Sequence, residues 1–276
     1  MFMLIKEIEN FIEEDTGYDD VSCTIVPDRS AEAIISTKED CIVAGIKEAE
    51  SIFCYLGIQA KTTLQDGDSL KKGDIVFKLT GGAVSILRAE RLTLNFLGHL
   101  SGIATLTRAC MDIVRKHSDT TRVACTRKTT PGLRKFEKLA VIAGGGDPHR
   151  FNLSDLIMIK DNHLKLMGLE AAIKAARKNS FTRKIEVEVE SEEDALLAAK
   201  LGADIIMLDN MQPEKILETL WLLKEKGLRD SVIVEASGRI SQANLEVYAK
   251  TGVDVISMGS LVHKSRWIDI NLEMLD

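Results

Sequence analysis

No stretch of this 276-residue chain reaches the ~18 consecutive apolar residues of a membrane-spanning helix. The amino-terminal MFMLIKEIENFIEED is amphipathic and acidic, unlike the basic and then apolar order of a secretory signal, so the expected location is the cytoplasm. Cysteine is scarce and shows no pairing pattern: Cys23, Cys41, Cys54, Cys110 and Cys125 are odd in number and scattered, without a CxxC. Neither a disulfide framework nor a zinc site is indicated, and buried reduced thiols are the expectation. Aromatic residues are 5% of the chain, no basic stripe interleaves with them, and the net charge is −6. That balance speaks against nucleic acid as the main partner.

What is present is ordinary for a soluble enzyme, with 45% apolar and 28% charged residues, and the length suits one barrel-sized domain or two smaller ones. Leu4, Ile5, Ile8, Phe11 and Ile12 recur at helical spacing, and Asp15-Thr16-Gly17 ends the helix they predict. Strands are predicted over 31–36 and 41–44, then a helix from Ile46 that Gly57 stops. Residues 60–79 alternate around turns at Asp66-Gly67 and Lys72-Gly73-Asp74, the pattern of short antiparallel strands. The DGDSLKKGDIVFKL segment there resembles the barrel-sandwich of biotin and lipoyl carriers. It has no Met-Lys turn to modify, so it reads as scaffold. Residues 85–100 predict a second amphipathic helix, on which Arg88 and Arg91 share a face and, from spacing alone, are solvated. His99 in the same helix reads as a packing or interfacial residue.

From Ser101-Gly102 onward one theme repeats: an apolar strand, a polar end, then a helix. The strand ends are Thr126-Arg127-Lys128, Lys160-Asp161-Asn162, Glu188, Leu208-Asp209-Asn210, Glu235-Ala236-Ser237-Gly238 and Gly259-Ser260. Such units, with helices such as 192–201 between them, predict an incomplete parallel α/β barrel, TIM-like, preceded by an N-terminal α+β sandwich domain. The expected domains are 1–104 and 105–263, with the tail 264–276 packing back on the first. In such a barrel the C-terminal strand ends converge on one mouth, so residues far apart in sequence meet there.

Charge divides that mouth into three regions. Early strands supply Arg127, Lys128, His149, Arg150 and Lys160, and a cation cluster in an acidic chain calls for a compact polyanion. Middle strands supply Glu188 and Asp209, acceptors for sugar hydroxyls or for Mg²⁺ shared with substrate phosphates. Late strands supply Ser237-Gly238 and Gly259-Ser260, where barrel enzymes commonly bind phosphate through backbone N–H groups. Each motif also has a plain structural reading. Thr129-Thr130-Pro131-Gly132 could be a turn opening a helix, Gly144-Gly145-Gly146 a linker or weak anion nest, and Lys160-Asp161 an ion pair. Glu186, Glu188 and Glu190 alternate as the polar face of a strand would. Jointly the three regions predict a phosphoribosyltransferase that uses 5-phosphoribosyl-1-pyrophosphate.

TRKTTPGLR at 126–134, GGGDPHR at 144–150 and IKDNH at 159–163 resemble, in order and spacing, the central motifs of the quinolinate phosphoribosyltransferase family, also called nicotinate-nucleotide pyrophosphorylase (carboxylating). The similarity extends from about residue 15 to 259. It implies quinolinate as acceptor, nicotinate mononucleotide, pyrophosphate and CO₂ as products, and a place in de novo NAD biosynthesis. By the resemblance Arg127, His149, Arg150 and Lys160 hold the two carboxylates, His149 through an N–H donor face rather than as a general base. LRAERLTLNFLGHLSGIAT at 87–105 matches the family segment whose arginine, here Arg91, reaches into a neighbouring subunit. The implied assembly is a homodimer with shared sites, or a hexamer built from it. Lys128, Lys160, Glu188 and Asp209 are the implied catalytic positions, with Glu188 and Asp209 toward Mg²⁺, directly or through substrate or water. Ser237, Gly238, Gly259, Ser260 and His263 are implied to lie near the 5′-phosphate.

The chain departs from the family pattern at several positions. Asp19 replaces a glycine in the element Asp19-Asp20-Val21-Ser22, and Asp147-Pro148 adds a negative charge beside the carboxylate pocket. Ala236 and Arg239 stand where Ser and Gly are common in ESSGG, so a donor is lost and a cation appears. The rival readings are the related molybdenum-transport-linked group, which tends to lose the Lys and Asp of IKDNH, and a nicotinate phosphoribosyltransferase that does not decarboxylate. A non-catalytic paralogue would lack one of Lys128, Lys160, Glu188 or Asp209; all four are present.

Overall fold

In the computed structural model, which describes residues 3–18, 20–27 and 29–275, the chain clusters into two units. The first comprises Met1–Leu106, Ile142–Gly145 and Ser265–Asp276, the second Thr107–Val141 and Gly146–Lys264.

In the first unit α1 (Ile5–Thr16) stops at Gly17, whose φ of 58° lets its N–H turn back to Glu13 O at 3.0 Å. Asp19 lies outside the described residues, and the Asp20 carboxylate caps a short 3₁₀ turn by accepting from Cys23 N at 3.1 Å. β1 (Ser30–Thr37), β2 (Cys41–Ile42), α2 (Ile46–Tyr55), β3 (Gln59–Lys61), β4 (Ser69–Leu70) and β5 (Ile75–Gly82) follow. β1 pairs antiparallel with β5 on one side and with the C-terminal strand Ile270–Leu275 on the other, while β2 pairs with β4. The alternation in β1 buries Ala33, Ile35 and Thr37, and Phe53 of α2 meets Phe77 of β5 edge to face at 5.4 Å.

The second helix expected over 85–100 runs further, as α3 (Ala83–Arg115). Gly98 and Gly102 have low intrinsic helix propensity, yet each is a point of close approach. A Cβ on Gly98 would lie 2.9 Å from Ile268 O, and one on Gly102 would lie 1.9 Å from Arg266 O. His99 beside them has its ring 5.6 Å from that of Trp267, a packing role. No described helix is long and apolar enough to cross a membrane. The cysteines are free, with Cys23, Cys41, Cys110 and Cys125 buried and Cys54 exposed.

The second unit is the incomplete barrel. Its elements are β6 (Arg122–Ala124), α4 (Arg134–Ala143), β7 (Ile157–Ile159), α5 (Asp161–Met167), α6 (Leu169–Asn179), β8 (Ile185–Val189), α7 (Glu192–Lys200), β9 (Ile205–Asp209), α8 (Pro213–Glu225), β10 (Ile233–Ser237), α9 (Leu245–Ala249), β11 (Val255–Ser257) and α10 (Ser260–His263). All neighbouring strands are parallel, in the order β6-β11-β10-β9-β8-β7. β6 and β7 do not pair. Asp147 takes the position beside β6, donating to Val123 O at 2.8 Å and accepting from Cys125 N at 3.0 Å. Parallel strands covered on both faces need apolar runs; Val123, Val187, Ile206, Val234 and Ile256 are fully buried, each contributing about 2 kcal/mol of burial.

Candidate active site

The expected convergence is found. The C-terminal strand ends frame a cleft with two lobes, about 380 and 480 Å³. The first is lined by Arg127, Lys128, His149, Arg150, Lys160 and Glu188 among others, the second by Ser237, Gly238, Gly259, Ser260 and His263 with Arg239 and Lys264. Thr126, Lys128, Asp209, Ser237 and Ser257 belong to both lobes, so the two are continuous. Every barrel residue expected to bind substrate or metal or to take part in catalysis therefore lines one cleft. Arg91 does not; it is exposed on α3 in the first unit.

Local chemistry explains how these side chains are presented. Gly132, with φ 85°, turns the chain into α4, whose Glu137 carboxylate accepts from Thr130 N at 3.0 Å; TTPG is a helix-opening turn directly after Arg127 and Lys128. The three glycines are neither linker nor anion nest: Gly145 N and Gly146 N donate to Ile142 O and Val141 O and close the end of α4. Asp147 does not load the carboxylate pocket with free negative charge. Its oxygens are engaged by Arg122 at 3.0 Å and by His149 N at 2.7 Å. Lys160 pairs with Glu188 rather than with Asp161, which pairs with Lys165 at 3.0 Å. His163 accepts from Lys160 N at 3.0 Å and so holds the start of α5.

His149, expected to offer an N–H donor to a substrate carboxylate, makes its own contacts within the protein. Its Nδ1 accepts from Arg150 N at 2.7 Å, and its Nε2 lies 3.1 Å from Glu235 Oε2 and 3.5 Å from Glu186 Oε2. Both ring nitrogens are thus committed inside the protein. Burial opposes charging of the ring, but the hydrogen bond to Glu235 and the charges of Glu235 and Glu186 outweigh it and raise the pKa above the ordinary histidine value. The Arg150 contact works the other way, since a proton on Nδ1 would face an N–H.

Beneath the ring Glu186 is fully buried, with neither carboxylate oxygen hydrogen-bonded. Burial, then the charge of Glu235, pushes its pKa up to about 8. The ligand atoms of His149, Glu186 and Glu235 lie within 4.8 Å of one another, close enough to hold a metal ion. A proton retained on Glu186 balances the same charge. Lys138, also fully buried, donates to Pro148 O and lies 3.4 Å from Cys125 Sγ; burial lowers its pKa and raises that of the thiol. Glu186, Glu235 and Lys138 were outside the sequence-based site. The signal available was that Glu186 shares a strand face with Glu188, which in a barrel points inward.

The first lobe is cationic, lined by Arg127, Lys128, Arg150 and Lys160. Arg127 Nε is buried without a partner, and Arg150 donates to Met158 Sδ at 3.0 Å rather than to a carboxylate. Burial, then the charge of Arg127, lowers the Arg150 pKa. Asp209 is raised by burial first and by Glu188 next, so these two carboxylates repel across the centre of the cleft. Among the described residues His149, Asn210 and Arg239 are the non-glycine residues with positive φ (49°, 55° and 53°), and all three line the mouth. Such backbone costs about 1–3 kcal/mol each and clusters at functional sites. Gly238 has φ 98°, and a Cβ there would lie 2.5 Å from Asn210 Oδ1, so only glycine fits. Ala236 is fully buried in β10, opposite Leu208 and Ile256 of the neighbouring strands, and lines neither lobe.

Fold and site together define a barrel enzyme that takes a phosphorylated, polyanionic ligand at its strand ends. The chain belongs to the quinolinate phosphoribosyltransferase family: residues 20–101 match the family's N-terminal domain and 103–273 its C-terminal domain. It is 47% identical over 271 residues to the probable nicotinate-nucleotide pyrophosphorylase (carboxylating) of Methanothermobacter thermautotrophicus, covering 97% of each chain. To the human nicotinate-nucleotide pyrophosphorylase (carboxylating) it is 36% identical over 97% of this chain and 90% of that one. The solved nicotinate-nucleotide pyrophosphorylase from Francisella tularensis superposes with a TM-score of 0.92 at 33% identity, over 98% of this chain and 95% of that one.

Proposed function

We propose that the protein transfers the phosphoribosyl group of 5-phosphoribosyl-1-pyrophosphate to quinolinate with decarboxylation, yielding nicotinate mononucleotide, pyrophosphate and CO₂ in de novo NAD biosynthesis. The observation that carries this reading is the continuous two-lobed cleft, a cationic lobe joined through Lys128 and Asp209 to a lobe of small residues. Arg127, Arg150 and Lys160 neutralise the two ring carboxylates, with Arg127 Nε already desolvated and unpartnered. His149 forms part of the wall, its ring held by Glu235. Ser237, Gly238, Gly259, Ser260 and His263 receive the 5′-phosphate.

Glu188 and Asp209 are hard oxygen donors, and burial, then the charge of Glu188, raises the Asp209 carboxyl, an arrangement that fits a divalent cation. Mg²⁺ bound there would neutralise charge on the diphosphate. Lys128 stabilises the negative charge that grows on pyrophosphate as the C1–O bond breaks. The pyridine nitrogen takes C1, the ring becomes cationic, and the C2–carboxylate bond breaks with its electron pair left on C2 beside that cation. A proton then adds at C2. Placement and electrostatics carry this chemistry, and no side-chain nucleophile is required. The reading includes a cytoplasmic homodimer, alone or assembled into a hexamer, in which the partner's Arg91 completes the carboxylate pocket.

The test is an assay of purified protein with quinolinate, 5-phosphoribosyl-1-pyrophosphate and Mg²⁺ that follows nicotinate mononucleotide and CO₂ together. Equal appearance of both, abolished when Mg²⁺ is omitted, is the expected outcome. Turnover with nicotinate or another planar acid but none with quinolinate would discard the acceptor assignment and keep the phosphoribosyl donor.

A further inference from the structure

We propose that Arg239 is a phosphate clamp, a guanidinium that grips the terminal phosphate of the phosphorylated co-substrate in the second lobe. The inference rests on the reading of that lobe as a phosphate site. Its first support is the backbone. Arg239 holds φ 53°, a conformation suited to glycine. The conformation is fixed from both sides: Asn244 Nδ2 donates to Arg239 O at 3.4 Å, and Ser260 Oγ donates to Ile240 O at 3.0 Å. Asn244 is itself held by Ser241 N at 2.8 Å.

The second support is charge. The Arg239 side chain is exposed at the lobe and has no carboxylate partner among the described residues. Lys128, His263 and Lys264 line the same lobe, and Asp209 is its one acidic lining residue among those described. Asp209 is hydrogen-bonded by Asn210 Nδ2 at 2.5 Å. A planar fork of N–H donors beside the small residues Ser237, Gly238, Gly259 and Ser260 matches the tetrahedral oxygens of a phosphate monoester.

The experiment compares wild type with Arg239→Gly, which relaxes the backbone and so folds, and with Arg239→Lys, which keeps the charge without the fork. Steady-state kinetics with both substrates are read alongside thermal-shift titration with inorganic phosphate. Arg239→Gly is expected to raise KM for 5-phosphoribosyl-1-pyrophosphate and to weaken phosphate protection, each about ten-fold, with KM for quinolinate unmoved and Arg239→Lys intermediate. Unchanged KM and unchanged phosphate protection in Arg239→Gly would overturn the clamp while leaving the proposed reaction standing. A rise confined to the quinolinate KM would also overturn it, and wild type that neither turns over the donor nor is protected by phosphate would remove clamp and reaction together.

Discussion

Glu186 shows what a single buried carboxyl does to this barrel. Burial and the charge of Glu235 hold its pKa near 8 against the pull of His149, Arg150 and Lys160, well above the ordinary 4.5. Between those two pH values the native chain keeps a proton that the unfolded chain has released. Stability therefore falls as pH rises through that window, by at most roughly 1.4 kcal/mol per pH unit, and is level below it. Glu186→Gln removes this titration. Its urea midpoint should match or fall below that of wild type at pH 5 and exceed it at pH 8.5, and a difference constant with pH would show that Glu186 does not titrate in this range. The sequence disclosed Lys128, Lys160, Glu188 and Asp209 because each closes an apolar strand, where a charge has to reach the rim. It left Glu186 ambiguous, since alternating glutamates suit a solvated face and a barrel interior equally. Which one applies depends on the sheet curling round, a long-range property.

At the scale of elements, α3 marks the limit of local reading. Helix periodicity was legible over 85–100, but Gly98 and Gly102 carry the low helix propensity that normally signals an end. The helix continues because residues 266–268, distant in sequence, lie against its glycine face and exclude a Cβ. Elsewhere in a helix Gly→Ala stabilises by about 1 kcal/mol. Here the sign should reverse: Gly102→Ala, with its Cβ 1.9 Å from Arg266 O, is expected to lose about 3 kcal/mol or more. Gly98→Ala, at 2.9 Å from Ile268 O, should lose less. Chemical denaturation of both variants checks the order, and a stabilised Gly102→Ala would mean that this segment is not held against the helix. The barrel strands were legible for the opposite reason. Each needs only its own apolar run and polar end, and β6 to β11 all appear where those runs predicted them.

At the scale of the whole molecule, the cleft gathers its anion-binding groups from one unit while Arg91, on the family's AER segment, is exposed in the other unit and outside the cleft lining. Its exposure is consistent with an arginine kept for another protomer, and the proposed homodimer makes a quantitative demand. In a closed two-fold dimer with sites shared between subunits, Arg91→Ala disables the site of the neighbour and Lys160→Ala disables its own. Each homodimer is then inactive throughout. In a mixed dimer one site collects both defects and the other collects neither. Random re-association of an equal mixture makes about half of the dimers mixed, each with one intact site, so roughly a quarter of the wild-type activity should return. The measurement is the specific activity of the re-associated mixture, with subunit exchange followed independently by tagging one variant. Exchange without recovery would assign Arg91 to its own protomer or to the surface, whereas recovery near a quarter would make the dimer, and not the single chain, the smallest catalytic unit.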